Sequence, residues 1–311
     1  MIEIKNLVKR YGNKVAVSGI SFTVNKGEVL GFLGPNGAGK STTMNIITGY
    51  LSSSSGSVVI NGHDILEEPE LAKKSIGYLP ELPPLYLDMT VVEYLNFMCD
   101  IKGVPSKERA SHLAKIMALV KIVDVADRLI KNLSKGYKQR VGIAQAMVGN
   151  PEILILDEPT VGLDPNQIRE IRKLIRLLAK NHTIIISSHI LSEIQAVCDR
   201  VVIINKGKVA AIDSLDGISS KLKETSKLLV AFRGDPKTVS NTLRAIPGVK
   251  DSFIRESKNP EIGQVELTVV NSNDVRTSVF YTMSKLNCPI IEMRSLEASL
   301  EEVFLSITQE V

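Results

Sequence analysis

The chain has 311 residues, of which 44% are hydrophobic and 23% are charged. This apolar content can fill a folded core, so the composition excludes disordered and fibrous proteins. The 38 Lys and Arg residues exceed the 34 Asp and Glu residues by a net charge of +4. That excess is too small to indicate nucleic-acid binding, which depends on clustered basic side chains. At roughly 150 residues per domain, the length predicts about two domains.

The cysteines and the apolar runs exclude two further classes of protein. Cys99, Cys198 and Cys288 are scattered and lie in no Cys/His cluster, so we expect neither a disulfide framework nor a zinc site. We expect the protein to work in a reducing cytosol. The longest apolar runs, such as Ile153–Leu156 and Val201–Ile204, are far shorter than the ~18–20 residues that cross a bilayer. We therefore expect the chain itself not to span a membrane.

The first 220 residues mix short apolar runs with helical patterns. Val29–Leu33 predicts a strand that ends in a glycine-rich turn, and Thr42–Tyr50 predicts a helix. Ile153–Leu156 and Thr183–Ser187 are typical of strands buried on both faces, with an amphipathic helix at Ile168–Lys180 between them. This strand–helix–strand order predicts an α/β fold with a mainly parallel sheet.

Helical patterns dominate residues 83–148, which we interpret as a helical insertion into the α/β core. Its clearest helices are predicted at Val91–Ile101 and Lys107–Val120. Further along, the polar, serine-rich composition of residues 213–226 predicts a hinge.

Beyond the hinge the order of elements changes. The pattern predicts β-α-β-β-α-β and a closing helix, which is typical of a small α+β ferredoxin-like domain. We therefore expect one domain over residues 1–218 and a second over residues 219–311. The predicted elements of the second are a strand at Leu228–Phe232, a helix at Pro236–Ala245, strands at Val249–Arg255 and Val265–Val270, a helix at Asp274–Leu286, a strand at Pro289–Arg294 and a helix at Leu296–Thr308.

A phosphate-binding motif directly follows the predicted strand Val29–Leu33. The eight residues from 34 to 41 fit GxxxxGK[ST], directly before a predicted helix that opens at Thr42. Glycines let successive N–H groups point at phosphate oxygens, and the helix presents its positive end. Lys40 would bridge the β- and γ-phosphates, and the Ser41 hydroxyl would ligate Mg²⁺. The nucleotide-binding residues predicted here are Gly34, Pro35, Asn36, Gly37, Ala38, Gly39, Lys40, Ser41 and Thr42.

Two adjacent acids follow the aliphatic strand Ile153–Leu156. Asp157 and Glu158 emerge at its carboxyl end, where ligands bind in α/β sheets. Asp157 is suited to hold Mg²⁺, and Glu158 can activate a water molecule for in-line attack on the γ-phosphate. Taken alone, the pair has two solvated acids that open a loop as an alternative interpretation. Together with the phosphate loop, the catalytic interpretation is favoured.

His189 follows the next buried strand. A single histidine at a strand end usually has a structural role, but this strand is expected to neighbour the one that carries Asp157. We therefore predict that His189 contacts the γ-phosphate.

Together these residues resemble the nucleotide-binding subunit of an ATP-binding cassette (ABC) transporter, over about residues 1–215. The resemblance implies a P-loop NTPase fold, with a mainly parallel sheet core, antiparallel strands and the helical insertion. Leu133-Ser134-Lys135-Gly136-Tyr137 stands where that family has its signature LSGGQ. The resemblance implies that two subunits sandwich two ATP molecules, each signature contacting the γ-phosphate held by the other. Ser134 and the Gly136 amide precede a helix predicted at roughly Tyr137–Val148, which makes an anion site; locally, Ser134 is also an ordinary helix cap.

Other matches with the family carry over one residue at a time. Tyr11 resembles the aromatic residue that stacks on adenine, although a surface tyrosine without a role remains an alternative. Asp164 resembles the residue of the loop that crosses the dimer interface.

Three positions depart from the family pattern. Lys135 replaces a glycine of the signature, Tyr137 replaces its glutamine, and Glu81 stands where the family usually has a glutamine that contacts Mg²⁺. A carboxylate is a competent oxygen ligand for Mg²⁺, so Glu81 can keep the metal role. We expect Lys135 to add positive charge near the partner's phosphates.

The resemblance implies a Mg²⁺-dependent ATPase that powers a transporter, with an exporter favoured. Its expected partners are a second copy of the cassette or a paralogous cassette, and a separate multi-span membrane permease; no nucleic-acid partner is expected. The expected location is cytoplasmic, peripheral on the inner face of the cell membrane. The alternatives left open are a non-transport ABC ATPase and an ATP-dependent regulatory switch. Residues 219–311 more weakly resemble the accessory domain of export-type subunits.

Overall fold

The computed structural model describes residues 1–215, 217, 225–257, 259, 261–270 and 274–296. The chain divides into two compact units, the first of which comprises residues 1–215 and the second of which lies within residues 216–306. Most of the predicted hinge and, apart from Leu296, all of the predicted closing helix lie outside the described residues.

The first unit combines two sheets with helices. Its strands are β1 (Ile2–Tyr11), β2 (Lys14–Val24), β3 (Val29–Leu33), β4 (Ser55–Ile60), β5 (His63–Asp64), β6 (Ile76–Leu79), β7 (Ile153–Asp157), β8 (Thr183–Ser188), β9 (Arg200–Asn205) and β10 (Lys208–Ser214). Its helices are α1 (Lys40–Ile47), α2 (Pro69–Lys74), α3 (Val91–Ile101), α4 (Ser106–Val120), α5 (Lys135–Met147), α6 (Pro165–Leu178) and α7 (Leu191–Gln195), with short 3₁₀ turns at Val123–Val125 and Ile130–Asn132.

The larger sheet of this unit has the strand order β10-β9-β3-β8-β7-β6. Its strands are parallel except for β10, which pairs antiparallel with β9. Every residue of β3, β7 and β8 is buried, as expected of parallel strands covered on both faces. Because β8 lies between β3 and β7, the carboxyl ends of all three strands meet at one edge of the sheet.

The second sheet of this unit is antiparallel, with the strand order β2-β1-β4-β5. It shares one hydrophobic core with the larger sheet, and the rings of Phe22 on β2 and Phe32 on β3 lie 5.5 Å apart. The apolar alternation along β1 is interrupted by an irregularity in pairing between Ile4 and Leu7. The simple period-two pattern that marks a strand is therefore broken here.

Helices α3, α4 and α5 all lie between β6 and β7 in the chain, within the predicted helical insertion. Helix α3 has the predicted bounds, because Thr90 caps it and forms a reciprocal capping box with Glu93. Helix α6 begins at Pro165, three residues before the predicted start, because Asp164 caps it and proline is favoured at the first helical position.

The second unit contains β11 (Thr225–Phe232), α8 (Pro236–Arg244), β12 (Val249–Arg255), β13 (Gly263–Val270), α9 (Arg276–Lys285) and β14 (Ile290–Leu296). Its four strands form an antiparallel sheet in the order β12-β13-β11-β14. Alternate residues of β11, such as Val230 and Phe232, are buried in a core with Leu243 of α8 and Met283 of α9. Within the described part of both units, none of the helices is long and apolar enough to cross a membrane.

Candidate nucleotide-binding and hydrolysis site

The predicted phosphate loop connects β3 to α1 at the carboxyl edge of the larger sheet. Gly37 and Gly39 have positive φ angles of 78° and 105°, which favour glycine. A Cβ atom on Gly39 would lie 2.7 Å from the carbonyl oxygen of Ala16, and one on Gly34 would lie 2.4 Å from that of Ile204. Backbone angles and close packing therefore both require glycine in this loop.

Lys40 is the first residue of α1, and only 6% of it is exposed. Its Nζ atom donates to the carbonyl oxygens of Gly34 at 2.9 Å and Pro35 at 3.3 Å. The same atom lies 3.5 Å from Oε1 of Glu158. The lysine side chain thus folds back over the loop, and the buried carboxylate of Glu158 balances its positive charge.

Asp157 is the last residue of β7 and is 2% exposed. Its carboxylate accepts a short hydrogen bond from the hydroxyl of Ser187, the residue opposite it on β8. Burial raises the pKa of Asp157 above its ordinary value, and hydrogen bonds from the Ser187 and Ser41 hydroxyls oppose this shift. The structure therefore brings Ser41 and Asp157, both predicted metal ligands, to the same place.

Glu158 has a left-handed backbone, with a φ angle of 48°. This conformation is uncommon for a residue with a side chain and is often found at functional sites. Its amide donates to Oγ of Ser187 at 2.9 Å, which helps to hold the turn. Its Oε2 atom lies 2.9 Å from Nδ1 of His189. The side chain of Glu158 is 6% exposed and that of His189 is 38% exposed, so the histidine gives the pair its contact with solvent.

Glu193 was missed by the sequence reasoning. It lies on α7 and is 8% exposed, and its Oε2 atom accepts from the hydroxyls of Thr160 at 2.5 Å and Ser188 at 3.0 Å. The sequence signal that could have identified Glu193 is its place between two apolar residues, Leu191 and Ile194. The structure shows that both are buried. An acid on a short apolar segment directly after a predicted site histidine is a candidate for a role at that site.

The signature residues lie at the start of α5. Ser134 caps the helix by accepting from the amide of Tyr137, and the helix begins at Lys135, two residues before the predicted start. The Tyr137 hydroxyl donates to Asp124 at 2.6 Å. The side chain of Lys135 lies close to Gly162 of the same chain, because a Cβ atom on Gly162 would lie 2.0 Å from the Nζ atom of Lys135. A surface pocket of about 250 Å³ is lined by Lys121, Ser134, Gly136, Tyr137, Arg140 and Gln167.

The other predicted residues are spread over the first unit. Tyr11 ends β1, is 48% exposed and has Nζ of Lys9 5.4 Å above its ring. Glu81 is exposed, yet close enough to Asp157 for its charge to raise the pKa of that carboxyl group. Asp164 caps α6, accepting from two backbone amides of that helix. Thr42 is half-buried in the first turn of α1.

The donor set can be compared with the needs of Mg²⁺. Among the described residues, no group of three or more His, Cys, Asp and Glu side chains is arranged to hold a metal. Mg²⁺ is usually held by one or two carboxylates together with substrate phosphates and water. The buried Asp157 carboxylate beside the Ser41 hydroxyl supplies oxygen donors of this kind, so the residues present fit the ion.

Comparison with known proteins gives the family. The model of the family described as ABC transporter matches residues 17–161. The linearmycin resistance ATP-binding protein LnrL of Bacillus subtilis (strain 168) is 32% identical over 309 residues, covering 99% of this chain and 98% of LnrL. The chain belongs to the ABC transporter ATP-binding proteins. The identification of an ABC transporter ATP-binding subunit from sequence is therefore confirmed.

Further relatives of this ABC protein are consistent with that result. The bacitracin transport ATP-binding protein BcrA of Bacillus licheniformis is 40% identical over 211 residues, covering 67% of this chain and 68% of BcrA. The cassette MJ0796 was solved as a dimer in a post-hydrolysis state bound to ADP and Pi. Its structure matches with a TM-score of 0.63 and 25% identity, covering 69% of this chain and 99% of that one. The first unit thus has the P-loop ABC cassette fold.

Proposed function

We propose that this ABC subunit binds ATP and hydrolyses it to power an exporter through a separate membrane permease. The observation that carries the proposal is the environment of the Glu158 carboxylate. One of its oxygens faces Nζ of Lys40 at 3.5 Å and the other faces Nδ1 of His189 at 2.9 Å. A buried carboxylate between a lysine suited to phosphate and a partly exposed histidine is suited to activate a water molecule for hydrolysis of a phosphoanhydride.

Lys40, Glu158 and His189 would have different roles in the reaction. Lys40 would leave the loop carbonyls for the β- and γ-phosphates, adding its charge to the amides at the start of α1. Glu158 would accept a proton from the attacking water, and its buried turn holds that carboxylate in place. His189 would orient Glu158 from one side and donate to the γ-phosphate from the other. Most of the rate gain would come from such positioning and charge stabilisation.

Mg²⁺, when bound with ATP, would neutralise phosphate charge at this edge of the sheet. Asp157 and Ser41 would hold it, and Glu81 would approach from the exposed side. The support for these roles is the burial of Asp157 and its contacts with the Ser41 and Ser187 hydroxyls.

The second half of each ATP site would come from a partner cassette, identical or paralogous. The N-terminus of α5, with the Ser134 hydroxyl and the Gly136 amide, has the partial positive charge and free N–H groups that bind a phosphate. The dimer of the similar cassette MJ0796 with ADP and Pi supports this assembly. In it, Asp164 would lie in the loop at the interface, and Tyr11 would stack on adenine.

The transport role rests on the family and on the names of two relatives, one for linearmycin resistance and one for bacitracin transport. Resistance, in the first name, fits removal of a compound from the cell, and the second name gives transport; together they favour export and a cytoplasmic position against the membrane. We propose the second unit as a ferredoxin-like accessory domain beginning near residue 219. Its β-α-β-β-α-β order and the sheet order β12-β13-β11-β14 support this.

Two measurements test the proposal. Purified protein should release phosphate from ATP when Mg²⁺ is present and should stop when EDTA is added. Protein taken from native membranes should co-purify with an integral membrane protein that has several apolar spans. Absence of ATP hydrolysis, or persistent purification without any membrane protein, would count against the corresponding half of the proposal.

A further inference from the structure

The carboxylate of Glu193 joins two segments that lie far apart in the sequence. Its Oε2 atom accepts from the hydroxyl of Thr160 at 2.5 Å and from that of Ser188 at 3.0 Å. Thr160 is 5% exposed and Ser188 is fully buried. A deprotonated carboxylate is an acceptor only, so it suits two hydroxyl groups that both donate. Hydrogen bonds to a charged acceptor are among the stronger ones in proteins.

The two hydroxyls belong to the segments that carry the proposed base and the proposed histidine. Thr160 follows Glu158 by two residues, and Ser188 immediately precedes His189. Their backbones are also tied to neighbouring parts of the site. The carbonyl oxygen of Thr160 accepts from the amide of Leu163 at 3.2 Å, in the turn before Asp164, and that of Ser188 accepts from the amide of Gly34 at 3.4 Å.

We propose that Glu193 is a positioning residue for ATP hydrolysis, holding Thr160 and Ser188 so that Glu158 and His189 stay within hydrogen-bond distance. This inference rests on the proposed function. The carboxylate is itself well anchored, because Leu191 and Ile194 on the same short helix are buried. Without it, two buried hydroxyls lose their acceptor, and the two segments can move apart.

The test compares Glu193→Ala with Glu193→Gln in the full chain. Alanine should lower kcat about 10- to 100-fold, because a shift of about 1 Å in a catalytic group can cost about 100-fold. The KM for ATP should change less than about threefold, because the two hydroxyls that Glu193 holds belong to Thr160 and Ser188, and neither is among the proposed ATP-binding residues. Glutamine keeps an acceptor oxygen and should restore most of kcat. Thr160→Val and Ser188→Ala, each removing one hydroxyl, should lower kcat in the same way.

Glu28→Ala is the matched control. Its side chain is 10% exposed and is paired with Arg200 at 2.7 Å, but it precedes β3, at the opposite end of the sheet from the site. This variant should lose stability and keep its kcat. An unchanged kcat in Glu193→Ala, or an equal fall in Glu28→Ala, would overturn the inference. Should Glu193→Ala fail to fold, Thr160→Val and Ser188→Ala decide: normal kcat in both would overturn it.

Amide hydrogen exchange gives a second readout that does not depend on catalysis. Glu193→Ala should speed exchange at Gly34, Val161 and Leu163, whose amides bond to Ser188, Glu158 and Thr160, whereas Glu28→Ala should not. Wild-type protein that hydrolyses no ATP would refute the proposed function and, with it, any role of Glu193 in hydrolysis. Unchanged exchange at these amides would refute the role of Glu193 alone.

Discussion

Nζ of Lys40 lies 3.5 Å from Oε1 of Glu158, and both side chains are more than nine-tenths buried. The lysine proposed to bind phosphate and the glutamate proposed as the base for hydrolysis are thus paired with each other. Under the proposed function, an incoming γ-phosphate would compete with Glu158 for the same ammonium group. Binding of ATP would therefore release the carboxylate at the moment when a water molecule has to be activated.

Lys40→Ala is expected to weaken ATP binding strongly, because the cation proposed to face the phosphates is lost. It should also destabilise the fold by about 1–3 kcal/mol, since a buried carboxylate loses one of its partners. ATP titration and thermal unfolding measure the two effects. Normal ATP affinity in this variant would overturn the assignment of the phosphate loop.

A double variant separates these two effects. In Lys40→Ala with Glu158→Gln, the carboxylate that lost its partner is neutral, so part of the lost thermal stability should return. ATP affinity should stay low. Recovery of ATP affinity together with stability would show that Lys40 acts only through the fold.

Glu158→Gln is expected to bind ATP with Mg²⁺ and to hydrolyse it about 100- to 10,000-fold more slowly, because a general base contributes a factor of this size. Unhydrolysed ATP should then hold two subunits together, so size exclusion with ATP and Mg²⁺ should show a dimer. Glu152→Gln, a substitution of an exposed glutamate before β7, is the control and should behave as wild type. A Glu158→Gln protein that remains monomeric with ATP would argue against the sandwich.

Gly34→Ala is expected to disturb the phosphate loop, because its Cβ atom would lie 2.4 Å from the backbone oxygen of Ile204. Displacing backbone should cost about 1–3 kcal/mol and weaken ATP binding. Gly62→Ala provides the comparison: Gly62 has a φ angle of 92° but open space around its Cβ position. That variant should lose about 1 kcal/mol through backbone strain and bind ATP normally. Equal ATP affinity in the two variants would contradict the role of close packing at Gly34.

His112 is expected to make stability depend on pH. Burial lowers its pKa, with Lys115 acting in the same direction and Glu108 opposing it; its Nε2 atom accepts from the amide of Gly149 at 3.1 Å. The unfolded chain therefore takes up a proton more readily than the folded one. The contribution of His112 to the free energy of unfolding is therefore complete above pH about 6.5. It is lost as the pH falls through the lowered pKa of the folded protein.

Thermal unfolding at pH 8 and at pH 5.5 measures this effect. The fall in Tm between the two values should be smaller in His112→Gln than in wild type, because the variant has no imidazole to protonate. An identical fall in the two proteins would remove His112 as a cause.

The parallel core could be predicted because its signals are local. A strand buried on both faces is a continuous aliphatic run, and β7 and β8 were found in this way. The antiparallel sheet was harder to predict, since irregular pairing in β1 breaks the alternation of apolar residues. Helix α5 begins earlier than predicted because Ser134 caps it, and the cap outweighs the weak helix preference of Gly136.

The candidate site was predictable where a motif names the residue and hidden where only folding creates the contact. Lys40, Asp157 and Glu158 follow from short motifs at strand ends, although their pairing does not. Glu193 gains its partners from residues 33 and 5 positions earlier in the chain. These contacts form only because β7 and β8 are neighbours in the sheet. The order of strands in a sheet cannot be read from a single sequence.

Three consecutive residues, the last two of strand β8 and the histidine that follows them, bond to neighbouring parts of the site. Ser187 bonds to Asp157 and to the amide of Glu158, Ser188 bonds to Glu193, and His189 contacts Glu158. These links depend on the pairing of β8 with β7, in which Asp157 is opposite Ser187. Deleting or inserting one residue here would turn every side chain to the other face and break all of the links at once. This strand end should accept substitutions more readily than any change in its length.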